Sequence, residues 1–216
     1  MFSYLIVIGF CITVIAIIPY IVYLFGVMFG KKISTLPRNG TISLPNISVV
    51  ICAYKEERNI RKKIQSISDC SYPNDKIEVI IVIDQADDNT EGVARDALEN
   101  SNLSWKIHVN NERTGKNKSL NIGLGLASYD IIIDTDADVI WDLTTVEMLV
   151  RRLISDNRIA AVSADLQPYA ATDRVTSMEK TYRSYFGRMS EWESANDATY
   201  IFNGNLIALK KSVING

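Results

Sequence analysis

Residues 2–29 contain no Asp, Glu, Lys, Arg or His and are mostly Ile, Val, Leu, Phe and Tyr. No part of a water-exposed surface tolerates such a run, and it exceeds the ~20 residues that cross a bilayer as a helix. It is therefore expected to be a transmembrane anchor over residues 1–30, with Pro19 a possible kink. A cleaved signal peptide fits less well. No basic residue precedes the run, it is too long for an ordinary signal core, and Phe29-Gly30-Lys31 is not a small-x-small cleavage site. Lys31, Lys32 and Arg38 follow directly, so the positive-inside rule puts everything after residue 30 in the cytoplasm of a membrane-bound protein.

The charged residues all follow that run, with 23 Lys and Arg against 25 Asp and Glu. This slightly acidic balance argues against a nucleic-acid partner. Cys11, Cys52 and Cys70 form no disulfide framework, in keeping with a reducing compartment. His108 is the only histidine, which excludes a His-rich zinc site and leaves a Ser/His/Asp triad one base in the middle of a strand-like run. The sequons at Asn46, Asn102 and Asn117 would be idle in the cytoplasm.

After a polar linker at 31–46 containing Pro37, Gly40 and Pro45, the pattern alternates between strand and helix. The strands are expected at 47–53, 77–83, 105–109 and 129–134, as short runs rich in Ile and Val. Helices are expected between them. Ile60, Ile64 and Ile67 recur at helical spacing, 91–100 and 115–127 follow, and Val146, Leu149, Val150 and Leu153 form the apolar face of 144–156. Alternating β and α elements predict an α/β domain, a mainly parallel sheet with helices on both faces, preceded by one N-terminal transmembrane helix. Met178 to Trp192 reads as a further helix, either packed or lying near a membrane or acceptor.

Ligands of such sheets bind beyond the carboxyl ends of the strands. Three of those ends are polar: Ala53-Tyr54-Lys55-Glu56-Glu57, Asp84-Gln85-Ala86-Asp87-Asp88-Asn89-Thr90, and Asp134-Thr135-Asp136-Ala137-Asp138. If the last strand stayed regular, Asp134, Asp136 and Asp138 would point one way, and an all-oxygen set of that kind suits Mg²⁺ or Mn²⁺ shared with a phosphate. An aromatic ring, separate carboxylates and a metal site along one edge together suit a nucleotide. Each motif alone also reads as a helix cap or a solvated turn.

The same residues resemble a known family. Residues 47–57, residues 77–90, Gly115-Lys116 leading to Leu120-Asn121, and Asp136-Ala137-Asp138 are similar in order and spacing to the motifs of family 2 inverting glycosyltransferases of the GT-A fold. Phe202-Asn203-Gly204-Asn205 running into Lys210-Lys211 resembles the family's acceptor-side strand and basic pair. With the membrane run in front, the likeness is to the cellulose, chitin and hyaluronan synthase group. The departures are Cys52 for the usual Pro, Lys55 for the usual Asn, and Ile83 and Gln85 for the Asp and Gly that flank the second motif.

The resemblance implies transfer of a sugar from a UDP-sugar to a glycan or lipid acceptor. It places Tyr54 on the uracil, Glu56 near the nucleoside, Asp84 on the uracil ring nitrogen, and Lys116 near the diphosphate. It also makes Asp136 and Asp138 the pair that holds Mg²⁺ or Mn²⁺ and the donor, and puts Phe202, Asn203 and Gly204 on the acceptor side. Asp134 would be a supporting group or pair with a nearby cation. The catalytic base of the family lies in a later acidic motif, expected beyond Gly216, so 47–216 is expected to be a GT-A domain truncated at its C-terminal side. Asp165, Asp173 and Asp197 do not match the context of that base. The alternative is a membrane-tethered subunit, or an inactive fragment, that binds nucleotide-sugar without transferring it. A P-loop is disfavoured, because Asn117 follows Lys116 where Ser or Thr should hold Mg²⁺ and the earlier Gly is missing. A nucleotidyltransferase remains a rival that product analysis would separate.

Overall fold

The computed structural model describes residues 2–30, 43–85, 87–165, 174–196, 198–199, 202 and 204–213. Most of the linker at 31–46, together with Asp173, Asp197 and Asn203, lies outside them. The contacts divide the chain into two compact units, Met1–Thr35 with Asp165–Phe202, and Leu36–Ala164 with Asn203–Gly216.

The first unit pairs two helices, α1 (Phe2–Phe29) and α6 (Arg174–Ala195). Among the described residues α1 is the one helix long and apolar enough to cross a membrane, and its large side chains are exposed along most of its length. Near its end the Trp192 ring lies where β-carbons at Gly26 and Gly30 would collide with it, so only glycine admits the indole there. The Tyr23 hydroxyl donates to Glu193 Oε1 at 2.8 Å.

The second unit is the α/β domain. Its elements are β1 (Ile47–Ala53), α2 (Ile60–Ser68), β2 (Ile77–Ile83), α3 (Thr90–Glu99), β3 (Ser104–Val109), α4 (Lys116–Leu126), β4 (Ile131–Asp136), α5 (Thr145–Ile154), β5 (Ala161–Ser163) and β6 (Leu206–Lys210). The sheet order is β3-β2-β1-β4-β6-β5. The first four strands are parallel, while β6 runs antiparallel to both β4 and β5. From β1 the chain winds one way to β2 and β3, then crosses to the other side of β1 for β4. The order therefore reverses between β1 and β4, which is where such sheets open a crevice.

Alternation along each strand sorts the core. Ile47, Val49, Ile51, Ala53, Ile131 and Ile133 face α2, α3 and α5 in the larger cluster, whereas Val50, Ile80, Val82 and Ile132 face α4 in a smaller one. Helix α4 sits close because Gly123 leaves room for Val50. All of β2 is buried, as expected for a central parallel strand. Its one charged residue, Glu78, is satisfied by Ser48 Oγ, the N–H and hydroxyl of Ser128, and Lys106.

One expectation needs correction. Strand β4 spans Ile131–Asp136 rather than ending at Asp134, and Asp138 lies in the turn that follows, closed by Val139 N–H on Asp136 O at 3.3 Å. Asp138 therefore does not share the strand alternation of Asp134 and Asp136. Lys210 and Lys211 sit at the far end of β6, because antiparallel pairing sets Lys210 beside Ile131 and Leu206 beside Thr135. Both ammonium groups are tied to backbone carbonyls there, of Asn157 and Ala127 respectively.

Candidate active site at the strand carboxyl ends

Strands β1 and β2 end in register, Ala53 beside Ile83, so Tyr54 and Asp84 leave the sheet at the same level. The next residue of each, Lys55 (φ 58°) and Gln85 (φ 48°), adopts the left-handed conformation that L-residues avoid. Paired strain of this kind re-aims both loops at one point, and neighbouring contacts hold it. Lys55 pairs with Asp87 at 2.9 Å. Glu56 N–H donates to Thr90 Oγ1, Glu57 N–H to Asp88 Oδ2, and Asn89 N–H to Glu57 Oε2. The Glu56 carboxylate accepts from Asn59 Nδ2 at 2.8 Å.

Asp84 is almost fully buried and receives four bonds from the segment between β3 and α4. Its Oδ1 accepts from Asn110 Nδ2 at 2.9 Å, Thr114 N–H at 2.7 Å and Thr114 Oγ1 at 3.1 Å, and its Oδ2 accepts from Gly115 N–H at 2.8 Å. Burial alone would raise this carboxyl, but the donors outweigh it and bring it down to about 2. One acceptor position remains on Oδ2, since a carboxylate offers about four. Gly115 reaches Asp84 with φ 86°, a backbone shape that favours glycine, and starts α4 directly after.

That start places Lys116 Nζ against Asp136 Oδ1 at 2.5 Å, across the β1 edge. Asp134 lies on the same face and is buried. Burial pushes its carboxyl up to about 6, with Lys116 opposing and Asp136 adding to the rise. Cys52 also faces this cluster, and burial with the nearby Asp134 pushes its thiol up to about 12, so it stays protonated. Asp138 is exposed on the turn. Beside them Asn205 O accepts from Asp136 N–H at 3.1 Å, which brings Gly204, the residue before it, to this edge. Phe202 belongs to the other compact unit and is exposed.

Tyr54, Glu56, Asp84, Lys116, Asp136 and Asp138 thus all stand at or just beyond the carboxyl ends of β1, β2 and β4 or at the start of α4. Sequence reasoning missed Asn110, Thr114 and Arg113. The Arg113 guanidinium covers the Tyr54 ring at 4.2 Å from its centroid. Its position three residues before Lys116, in a loop entering a helix, was the available signal. No three His, Cys, Asp or Glu side chains among the described residues converge as a metal cage. A hard cation at Asp136 and Asp138 would take its remaining oxygens from a ligand, as Mg²⁺ does with phosphates. A separate polar cavity of about 320 Å³ between α2 and α3, lined by Arg61, Gln65, Asn74 and Asn102, lies away from these groups.

The profile described as Glycosyl transferase family 2 matches residues 48–214. Probable glycosyltransferase YdaM of Bacillus subtilis (strain 168) is 27% identical over 183 residues, covering 82% of this chain and 43% of that protein. Poly-beta-1,6-N-acetyl-D-glucosamine synthase of Staphylococcus aureus (strain COL) is 26% identical over 175 residues, covering 79% and 41%. The chain thus spans less than half the length of these relatives. Among solved structures, the mannosyltransferase PcManGT from Pyrobaculum calidifontis in complex with GDP-Man and Mn²⁺ superposes with a TM-score of 0.76 at 28% identity, over 91% of this chain and 53% of that one.

Proposed function

From the premise that the chain belongs to glycosyl transferase family 2, with a GT-A type sheet, we propose that it moves a sugar from a UDP-sugar to a glycan or lipid acceptor with inversion at the anomeric carbon. The observation that carries this is the Lys116–Asp136 pair at the point where the strand order reverses, an anion-binding group and a cation-binding group 2.5 Å apart. A metal–diphosphate needs both. Tyr54 offers its ring to the base, Asp84 its remaining acceptor position to a ring N–H, and Glu56 lies near the nucleoside. Asp136 and Asp138 would hold Mg²⁺ or Mn²⁺, which supplies stabilisation of the charge on the leaving diphosphate. Lys116 then turns from Asp136 to the diphosphate, adding a second positive charge where negative charge develops. Phe202, Asn203 and Gly204 belong to the acceptor side.

The same reading puts the protein in the cell membrane, with α1 spanning it and the α/β domain on the cytoplasmic face. Cys70 is too buried to report topology. A Ser101→Cys variant should stay unlabelled by an impermeant thiol reagent added to intact cells, and labelling from outside would reverse the orientation.

A second donor is favoured by one observation: the mannosyltransferase named above holds GDP-Man, and it matches 91% of this chain. Calorimetry of the full chain in detergent with UDP and with GDP, each with Mn²⁺ and with chelator, tests both. Tighter UDP binding with Mn²⁺ is expected. GDP binding the more tightly would replace the uridine part of the proposal, and equal affinities with and without metal would remove the metal site. Release of free nucleoside diphosphate on adding acceptor would separate transfer from mere binding.

A further inference from the structure

Helix α2 carries Arg61, Lys62 and Lys63, but only Lys63 is buried, completely, with Ile60, Ile64 and Ile67 on the inward face. Its Nζ donates to Thr135 Oγ1 at 2.7 Å and to Val139 O at 2.6 Å, and lies over the Trp141 ring at 4.4 Å from the centroid. The Thr135 hydroxyl also accepts from Trp141 Nε1 at 3.4 Å and donates to Asp136 O at 3.4 Å, so its donor and both acceptor positions are in use. Thr135 precedes Asp136 and Val139 follows Asp138. One amine thus bridges the two ends of the turn that bears both carboxylates.

We propose that Lys63 is a positioning residue that fixes the Asp136–Asp138 turn for its cation, an inference that rests on the metal–diphosphate reading above. Packing alone does not account for a lysine here. Burying an amine without a carboxylate partner is unfavourable, and a methionine of similar length would fill the same space. The bonds go to either side of the metal pair and use none of its carboxylate oxygens. Alternation along β4 points Thr135 toward α2, while Asp134 and Asp136 point to the α4 face, so Lys63 holds the turn from behind. Burial lowers the Lys63 ammonium well below its ordinary range while Asp136 and Asp138 pull it back. The bridge survives either protonation state, because the neutral amine still has two N–H donors for its two acceptors.

The test uses the full chain in detergent, measuring affinity for UDP, or GDP if wild type prefers it, with Mn²⁺ and with chelator. Lys63→Met and Thr135→Val should lose about tenfold or more of the gain that Mn²⁺ gives, the usual effect of removing a group that orients a metal ligand. Affinity in chelator should stay at the wild-type value, and Thr135→Ser, which keeps the hydroxyl, should retain most of the gain. If Lys63→Met does not fold, Thr135→Val against Thr135→Ser still decides. An unchanged Mn²⁺ gain in Thr135→Val overturns the inference, as does an equal loss with and without Mn²⁺. A wild type with no Mn²⁺ gain overturns the metal reading itself, and the inference with it.

Discussion

Aspartates stand at the ends of β2 and of β4, two strands apart in the same sheet, and the structure treats them in opposite ways. Asp84, at 5% exposure, is surrounded by donors from Asn110, Thr114 and Gly115. Asp136 has a single ion pair, Asp138 is exposed, and Asp134 is buried with its carboxyl pushed up to about 6. The first carboxylate assembles the loop that carries Arg113, Lys116 and the start of α4. The second group is left underpaired, an arrangement in keeping with the cation role proposed for it. One residue type thus meets two environments: Asp84 is held by donors of its own domain, while the β4 aspartates keep oxygens open to a ligand.

Substitutions can break this division. The largest effect is expected from Asp84→Ala, which removes the shared acceptor of four donors on Asn110, Thr114 and Gly115 and should destabilise the domain by about 3 kcal/mol. Denaturant unfolding would measure it, and a loss no larger than that of Asp138→Asn would refute the contrast. Asp84 also sets an acid window. Its folded value of about 2 lies below the ordinary 3.8, so its contribution is complete above the ordinary value and is lost as pH falls through about 2. Asp138→Asn, by contrast, should leave stability within about 0.5 kcal/mol while removing at least about tenfold of the Mn²⁺-dependent gain in nucleotide affinity.

Asp134 sharpens the comparison with the reverse sign. Its folded value is raised from 3.8 to about 6, so the stability it contributes when protonated is lost as pH rises through about 6. Asp134→Asn should therefore be more stable than wild type above that pH, on the order of 1 to 2 kcal/mol, with a flatter melting profile between the two values. The smallest effect concerns the strained loop. Gln85→Gly relieves φ 48° and should stabilise by about 0.5 to 1 kcal/mol in thermal melts, net of the added freedom of the unfolded chain.

The parallel core was legible because β1, β2 and β4 are buried on both faces and so read as unbroken Ile/Val runs. The candidate site was legible as a set of strand ends, and the motif resemblance supplied the roles proposed for its members. What the sequence hid was contact across distance. Asp84 reads as a free carboxylate because its partners Asn110, Thr114 and Gly115 lie far along the chain. Lys63 drew no notice among its basic neighbours Arg61 and Lys62, although Ile60, Lys63, Ile64 and Ile67 fall at i, i+3, i+4 and i+7, which already places the lysine on the inward stripe. The reversal of β6 was hidden because a short apolar run carries no direction.

The Lys116–Asp136 pair has a kinetic consequence. Its ammonium occupies the carboxylate that a divalent ion would seek, so a bare ion arriving alone meets a resident counter-charge, and only a visitor that offers the lysine an alternative anion can displace it. A diphosphate already carrying its metal does so in one exchange. The site would then favour binding of the pre-formed metal–nucleotide over stepwise loading, and the apparent affinity of a bare ion would be its intrinsic affinity multiplied by the fraction of time the pair is open.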